Sequence, residues 1–180
     1  MIYFISDTHF FHTKIIEYCN RPFSNVEEMN QTIIKNWNDR VSVEDTVFHL
    51  GDFGLIKSGE APDAIKDTFN VIRNQLNGNI IFLKGNHDSQ NKNKSVIQSM
   101  VIEHGGKRIF LTHDPKFADE GFYFNFCGHC HGRYGKFRKL SKRSVIVDLS
   151  VDCWDYRPVD ITEIYQAHSF WLKGGKNEIK

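Results

Sequence analysis

The chain has 180 residues, 40% hydrophobic and 25% charged, the composition of an ordinary globular protein, and its length suggests one domain over residues 1–180. A net charge of +1 excludes a strong global field that would draw nucleic acid or a membrane surface. No run of about 20 apolar residues could span a bilayer, and residues 1–5 are too short for a signal-peptide core, so a cytoplasmic location is expected.

Ile2–Ile5 is a continuous apolar run, as in a strand buried on both faces. Asp7 and His9 follow; in extended backbone their spacing puts both side chains on one side. Residues 10–19 read as a short helix. Ser24-Asn25-Val26-Glu27 reads as a capping box, opening a helix striped by Val26, Met29, Ile33, Trp37 and Val41 for core packing. Thr46–Leu50 is a second strand that delivers Gly51 and Asp52, with His49 inside it expected to be structural. A loop at Lys57–Gly59 precedes Pro62, which suits a first helical turn, and Ala61, Ile65, Phe69, Ile72 and Leu76 form a third stripe.

Ile80–Leu83 is the third strand, running into Gly85-Asn86-His87-Asp88. Ser89–Ser95 reads as a polar surface loop, and Val96–Ile102 is apolar without a clear type. Arg108–Thr112 is a strand tipped by His113 and stopped by Pro115. Phe122–Cys127 is another, ending in Gly128-His129-Cys130-His131. Arg133–Arg143 carries six basic residues around Tyr134 and Phe137. That segment reads as a solvated hairpin, or as a track for nucleic acid with the two rings stacking on bases. Val145–Val151 is the last strand and Thr162–Trp171 the last helix. Strands alternating with helices predict an α/β architecture.

Strand tips in such a sheet converge on one crevice. The tips here offer Asp7, His9, Asp52, Asn86, His113, His129 and His131, seven oxygen and nitrogen donors. Two ions sharing a carboxylate use such a set better than one. Two divalent charges against two carboxylates leave the cluster positive, which suits a phosphate. Imidazole-rich ligation argues against calcium and for manganese, iron, zinc or nickel, with manganese placed first. Cys127-Gly128-His129-Cys130 has the spacing of half a zinc knuckle, but Cys19 and Cys153 are isolated, so reduced thiols are expected.

Taken in order, Asp7-Thr8-His9, Gly51-Asp52, Gly85-Asn86-His87-Asp88, His113 and Gly128-His129-Cys130-His131 resemble the calcineurin-like metallophosphoesterase superfamily, over residues 1–160. The start at Asp7–His12 and Arg157-Pro158 resemble its small, uncapped prokaryotic or phage members. The resemblance implies two mixed β-sheets packed as a sandwich and flanked by α-helices. It implies that Asp7, His9 and His131 hold one ion, that Asn86, His113 and His129 hold a second, and that Asp52 bridges them. A hydroxide between the ions would attack phosphorus, and His87 would assist the leaving oxygen. Arg133, His12 and Arg21 are candidate contacts to a small phosphorylated substrate, which could be nucleotide-like. Many relatives follow the second motif with Asp-Arg; here Phe53-Gly54 stands there, so the group that orients His87 is open, with Asp88 or a backbone carbonyl as candidates. A nuclease and a non-catalytic interaction module are the alternatives, and no membrane partner is expected. The oligomeric state is not specified.

Overall fold

The computed structural model describes residues 1–55, 69–88 and 95–177. The expected loop at Lys57–Gly59, the helix start at Pro62, the stripe positions Ala61 and Ile65, and most of the polar run from Ser89 lie outside the described residues.

Strands β1 (Ile2–Ile5), β2 (Thr46–His49), β3 (Asn79–Phe82) and β9 (Val159–Asp160) form one sheet in the order β3-β2-β1-β9. Strands β4 (Ser99–His104), β5 (Lys107–Thr112), β6 (Phe124–Cys127), β7 (Phe137–Ser141) and β8 (Ser144–Asp148) form the other, in the order β4-β5-β6-β8-β7. Both sheets are mixed: β1, β2 and β3 run parallel, as do β5, β6 and β8, with antiparallel strands at the edges. Parallel neighbours finish at the same rim. Ile5 pairs with His49 and His49 with Phe82, so the three following turns leave the first sheet together. A parallel bridge between Ser6 and Ser150 ties this rim to the end of β8 in the second sheet.

Alternation along β1 explains its unbroken apolar run. Phe4 faces the second sheet, with its ring 5.0 Å from that of Phe126 and nearly perpendicular to it. Tyr3 and Ile5 face the other way, into a cluster with Met29, Ile33 and Trp37 of helix α2 (Val26–Asn38). Helix α1 (Ile15–Tyr18) and helical residues 69–73 belong to that outer layer. Helix α3 (Ile161–Leu172) closes the inter-sheet core, stacking Trp171 on Phe137 and Tyr165 near Phe124.

Several sequence expectations shift. The capping box is one residue later: Asn25, in extended backbone, accepts from the Glu28 amide, and Glu28 accepts from the Ser24 amide. The helix expected over residues 10–19 is confined to Ile15–Tyr18, because Phe10 bridges Gly54 and Phe11 has φ 66°. Val96–Ile102 resolves into a Leu83–Ile97 bridge and edge strand β4. The strand expected to reach Val151 stops at Asp148, and Val151–Cys153 turns as a 3-10 helix. The basic segment is a hairpin made by β7 and β8. Phe137 is 3% exposed within the core, whereas Tyr134 is outside with Arg133 and Arg138 against its ring, so the two rings do not form one shared surface. All four cysteines are free. Among the described residues, no helix is long and apolar enough to cross a membrane.

Candidate metal centre

The rim turns are built from unusual backbone. Asp7, His9, Asp52, His129 and His131 all have positive φ, between 48° and 71°. Each such residue costs about 1 kcal/mol or more and persists only where its surroundings over-determine it. Asp7 and His9 are therefore brought together by left-handed turns and not by strand alternation, which corrects the extended-backbone reading. The turns are pinned to each other: the Asp7 amide donates to Gly51 O at 3.0 Å, the His9 amide to Asp52 O at 3.1 Å, and the His129 amide to Asp7 Oδ2 at 2.9 Å. Two glycines permit this crowding. A Cβ on Gly85 would stand 2.1 Å from Asp52 Oδ1, and one on Gly128 would stand 2.3 Å from Asp7 Oδ2.

All seven donor residues read from the sequence lie at this rim. Asp7 Oδ1 is 3.8 Å from His9 Nε2 and 3.6 Å from His131 Nε2. Asp52 Oδ2 stands between His9 Nε2 at 3.7 Å and His113 Nε2 at 3.4 Å. Asn86 Oδ1 stands between His113 Nε2 at 3.0 Å and His129 Nδ1 at 2.9 Å. Among the described residues, three-residue sets with ligand atoms within 4.8 Å of one another are Asp7, His9, His131; Asp7, Asp52, His113; and, beside the first, Cys19, His131, Asp152.

The donor chemistry fits cations. Asp7 Oδ1 and His9 Nε2 are buried and have no hydrogen-bond partner among the described residues. His131 Nδ1 donates to Asp152 Oδ2 at 2.8 Å, and His113 Nδ1 donates to the Leu50 carbonyl at 2.9 Å. A neutral imidazole that donates from Nδ1 presents only a lone pair at Nε2. Nε2 lone pairs then converge with carboxylate and amide oxygens, an arrangement of acceptors that a positive ion or extra protons must hold together.

Protonation follows from that. Burial disfavours the charged form of His113, but the Asp52 and Asp7 carboxylates outweigh it and raise its pKa to about 9. Burial likewise opposes charge on His131, while Asp7, Asp152 and Cys19 raise it to about 11. His9, the deepest of the donor imidazoles, is held neutral: burial lowers its pKa well below normal, only partly opposed by Asp52. Burial pushes Asp52 towards its neutral form, yet His113, His9 and the His87 amide keep it ionised. Protons on His113 and His131 thus stand where a divalent charge would serve.

An outer layer, missed in the sequence, fixes these groups. Asp152 accepts from His131 and also from Arg21 Nε at 2.9 Å and Nη2 at 3.0 Å. Ser150 Oγ reaches Asp7 Oδ2 at 3.2 Å, and Asp148 accepts from the Ser150 and Gly132 amides. The signal available was the alternation Asp148-x-Ser150-x-Asp152 past a strand end. His49 is fully buried as expected; Thr8 donates to Phe53 O and so accepts from His49 Nε2, while His49 Nδ1 accepts from the Gly51 amide.

The candidate substrate contacts divide. Arg21 is corrected: its side chain is 0% exposed, bound to Asp152 and to the carbonyls of Asp7 and Thr8, so it braces the first turn from inside. His12 is half-buried with Nδ1 3.3 Å from His9 Nδ1. Burial and the neighbouring His87 and Arg21 lower its pKa to about 4. Arg133 is exposed and turned towards Tyr134. His87 stands at the mouth, its side chain 36% exposed and Nε2 4.0 Å from Asp52 Oδ2, with the His9 ring 5.6 Å away. Asp88 spends its carboxylate on the amides of Asp52, Phe53 and Gly85, and so clamps two of the rim turns together.

Comparison with known proteins shows the family. The calcineurin-like phosphoesterase superfamily domain matches residues 1–146, and the chain belongs to that superfamily. An uncharacterised protein of Methanocaldococcus jannaschii, MJ1445, is 40% identical over 166 residues, which span 89% of this chain and 86% of that one. The crystal structure of AQ665, a protein of unknown function from Aquifex aeolicus, superposes with a TM-score of 0.68 at 27% identity, covering 93% of this chain and 98% of that one.

Proposed function

We infer that this chain hydrolyses the phosphoester bonds of small substrates with two divalent cations, one on Asp7, His9 and His131, the other on Asn86, His113 and His129, with Asp52 shared. The observation that carries the reading is the pair of buried, unsatisfied atoms Asp7 Oδ1 and His9 Nε2, on strained backbone and facing one another. When bound, such cations supply Lewis-acid charge for a phosphoryl oxygen and a nucleophile at neutral pH. Manganese is the first candidate and iron, zinc or nickel the others.

The chain's own groups have distinct tasks. Asp152 and the Leu50 carbonyl hold the rings of His131 and His113 so that Nε2 faces inward. With His9 donating from Nδ1 to His12, its Nε2 also faces inward, which makes His12 a positioning residue. His87, outside the donor set and at the mouth, donates a hydrogen bond or proton to the leaving oxygen. Arg133, exposed and two residues past His131, would leave the Tyr134 ring to meet a phosphate oxygen.

The test is turnover of p-nitrophenyl phosphate and bis-p-nitrophenyl phosphate with manganese, with and without chelator. Metal-dependent release of nitrophenol is expected with at least one ester. No turnover with manganese, iron, zinc or nickel would contradict the reading and favour an interaction module on the same fold.

A further inference from the structure

We propose that the hollow beside Asn86 and His113 is a nucleoside subsite, so that the phosphoester cleaved at the centre is that of a nucleotide. The proposal rests on the phosphoesterase reading and adds a substrate class to it. The hollow, about 330 Å³, lies between residues 84–86, the end of β5 and the 3-10 helix Pro115–Phe117, and it shares Asn86 and His113 with the donor cluster. That volume is at the small end for ligand sites and matches one nucleoside better than a long chain.

Its lining has the mixed chemistry a nucleoside needs. Phe110 is held from behind by Phe122, stacked at 5.4 Å. Phe117, at the rim, is 63% exposed on a turn fixed by the Asp114 cap, with Lys116 Nζ 4.8 Å over its ring centroid and the rest of the ring open. An exposed aromatic ring on rigid backbone is a stacking surface for a base. Gln98 offers an amide donor and acceptor to a base edge. Lys116 is matched by Asp114 at 2.7 Å, whereas Lys84 has no acidic partner among the described residues, so the hollow keeps one uncommitted positive charge. A lipid chain would bury Lys84 and Gln98 without partners. A sugar phosphate would leave Phe110 and Phe117 uncovered. A nucleotide satisfies both kinds of group.

Two esters with one leaving group test this: thymidine 5′-(p-nitrophenyl phosphate) and methyl p-nitrophenyl phosphate, assayed on the manganese-loaded protein. The thymidine ester should be preferred in kcat/KM by about tenfold or more, through KM. Phe117→Ala and Lys84→Gln should erase most of that preference and leave the methyl ester within about twofold. Phe117→Leu keeps the turn filled but should still lose the preference. No preference in the unmodified chain, or equal losses on both esters, would overturn the subsite. If neither diester is cleaved, the phosphoesterase reading is judged separately on p-nitrophenyl phosphate, a monoester, and fails only if that is not cleaved either. Calorimetry with thymidine monophosphate then decides the hollow: binding weakened about tenfold by Phe117→Ala sustains it, and absent binding overturns it. Competition by a ten-nucleotide oligothymidylate that fades with salt would assign the nucleotide to a strand end; indifference to it would assign a free nucleotide.

Discussion

The two halves of the donor cluster differ in depth and in support. Asp7 and His9 are 0% and 1% exposed, and behind them Arg21, Asp152, Ser150 and Asp148 form a closed network. Asn86 and His129 stand exposed at the rim, joined to each other at 2.9 Å, with His113 the buried member of their set. The first half is built before any ion arrives. The second is completed at the mouth, where the hollow beside Asn86 begins and where the proposed substrate would enter. The deep half should therefore bind its cation tightly and the rim half more loosely.

The largest expected effect comes from removing what the halves share. Asp52→Asn should lower kcat by about a thousandfold, measured by nitrophenol release, because its Oδ2 faces both sets. Next is the brace of the deep half. Arg21→Ala removes one of the two cationic partners of buried Asp152, leaving protonated His131, and should cost about 2–3 kcal/mol in denaturant unfolding of the metal-free chain. A smaller, asymmetric pair follows. Asp152→Asn should weaken the tighter of two manganese-binding events by about 10- to 100-fold. His129→Ala should weaken only the looser event, which sharpens the contrast in one calorimetric titration.

The smallest effect concerns pH. His113 and His131 have folded pKa values raised to about 9 and about 11, above the unfolded 6.5. Their stabilisation of the metal-free fold is complete below pH 6.5 and is lost as pH rises through 9 and then 11. His12 and His49 act oppositely, with folded values lowered to about 4 and about 3, so they cost stability as pH falls below 6.5. The melting temperature of the metal-free chain should therefore decline on both sides of pH 6.5. With metal bound, the alkaline decline should shrink, because the ion replaces the protons on His113 and His131. An unchanged alkaline slope would count against ligation by these two histidines.

Much of this was readable in the sequence, because parallel strands end at one rim and apolar runs point to their tips. That logic located Asp7, Asp52, Asn86, His113 and His129 in one crevice. It failed where support comes from across the chain. Arg21 looked like a substrate contact because it lies near the first motif in sequence, yet it turns inward to Asp152, 131 residues away. Asp152 itself carries no motif and is found only through its partners. The left-handed turns at Asp7 and His9 were illegible too, since neither residue type demands positive φ. Tyr134 and Phe137 share one basic segment, but strand pairing sends Phe137 to the core and leaves Tyr134 outside.

Anomalous diffraction at the manganese edge, from crystals soaked in that metal, tests the two-cation centre most directly. Two peaks are predicted, one against Asp7, His9 and His131, the other against Asn86, His113 and His129, with Asp52 touching both. A single peak in the neighbouring set of Cys19, His131 and Asp152, or no peak at this rim, would contradict the account.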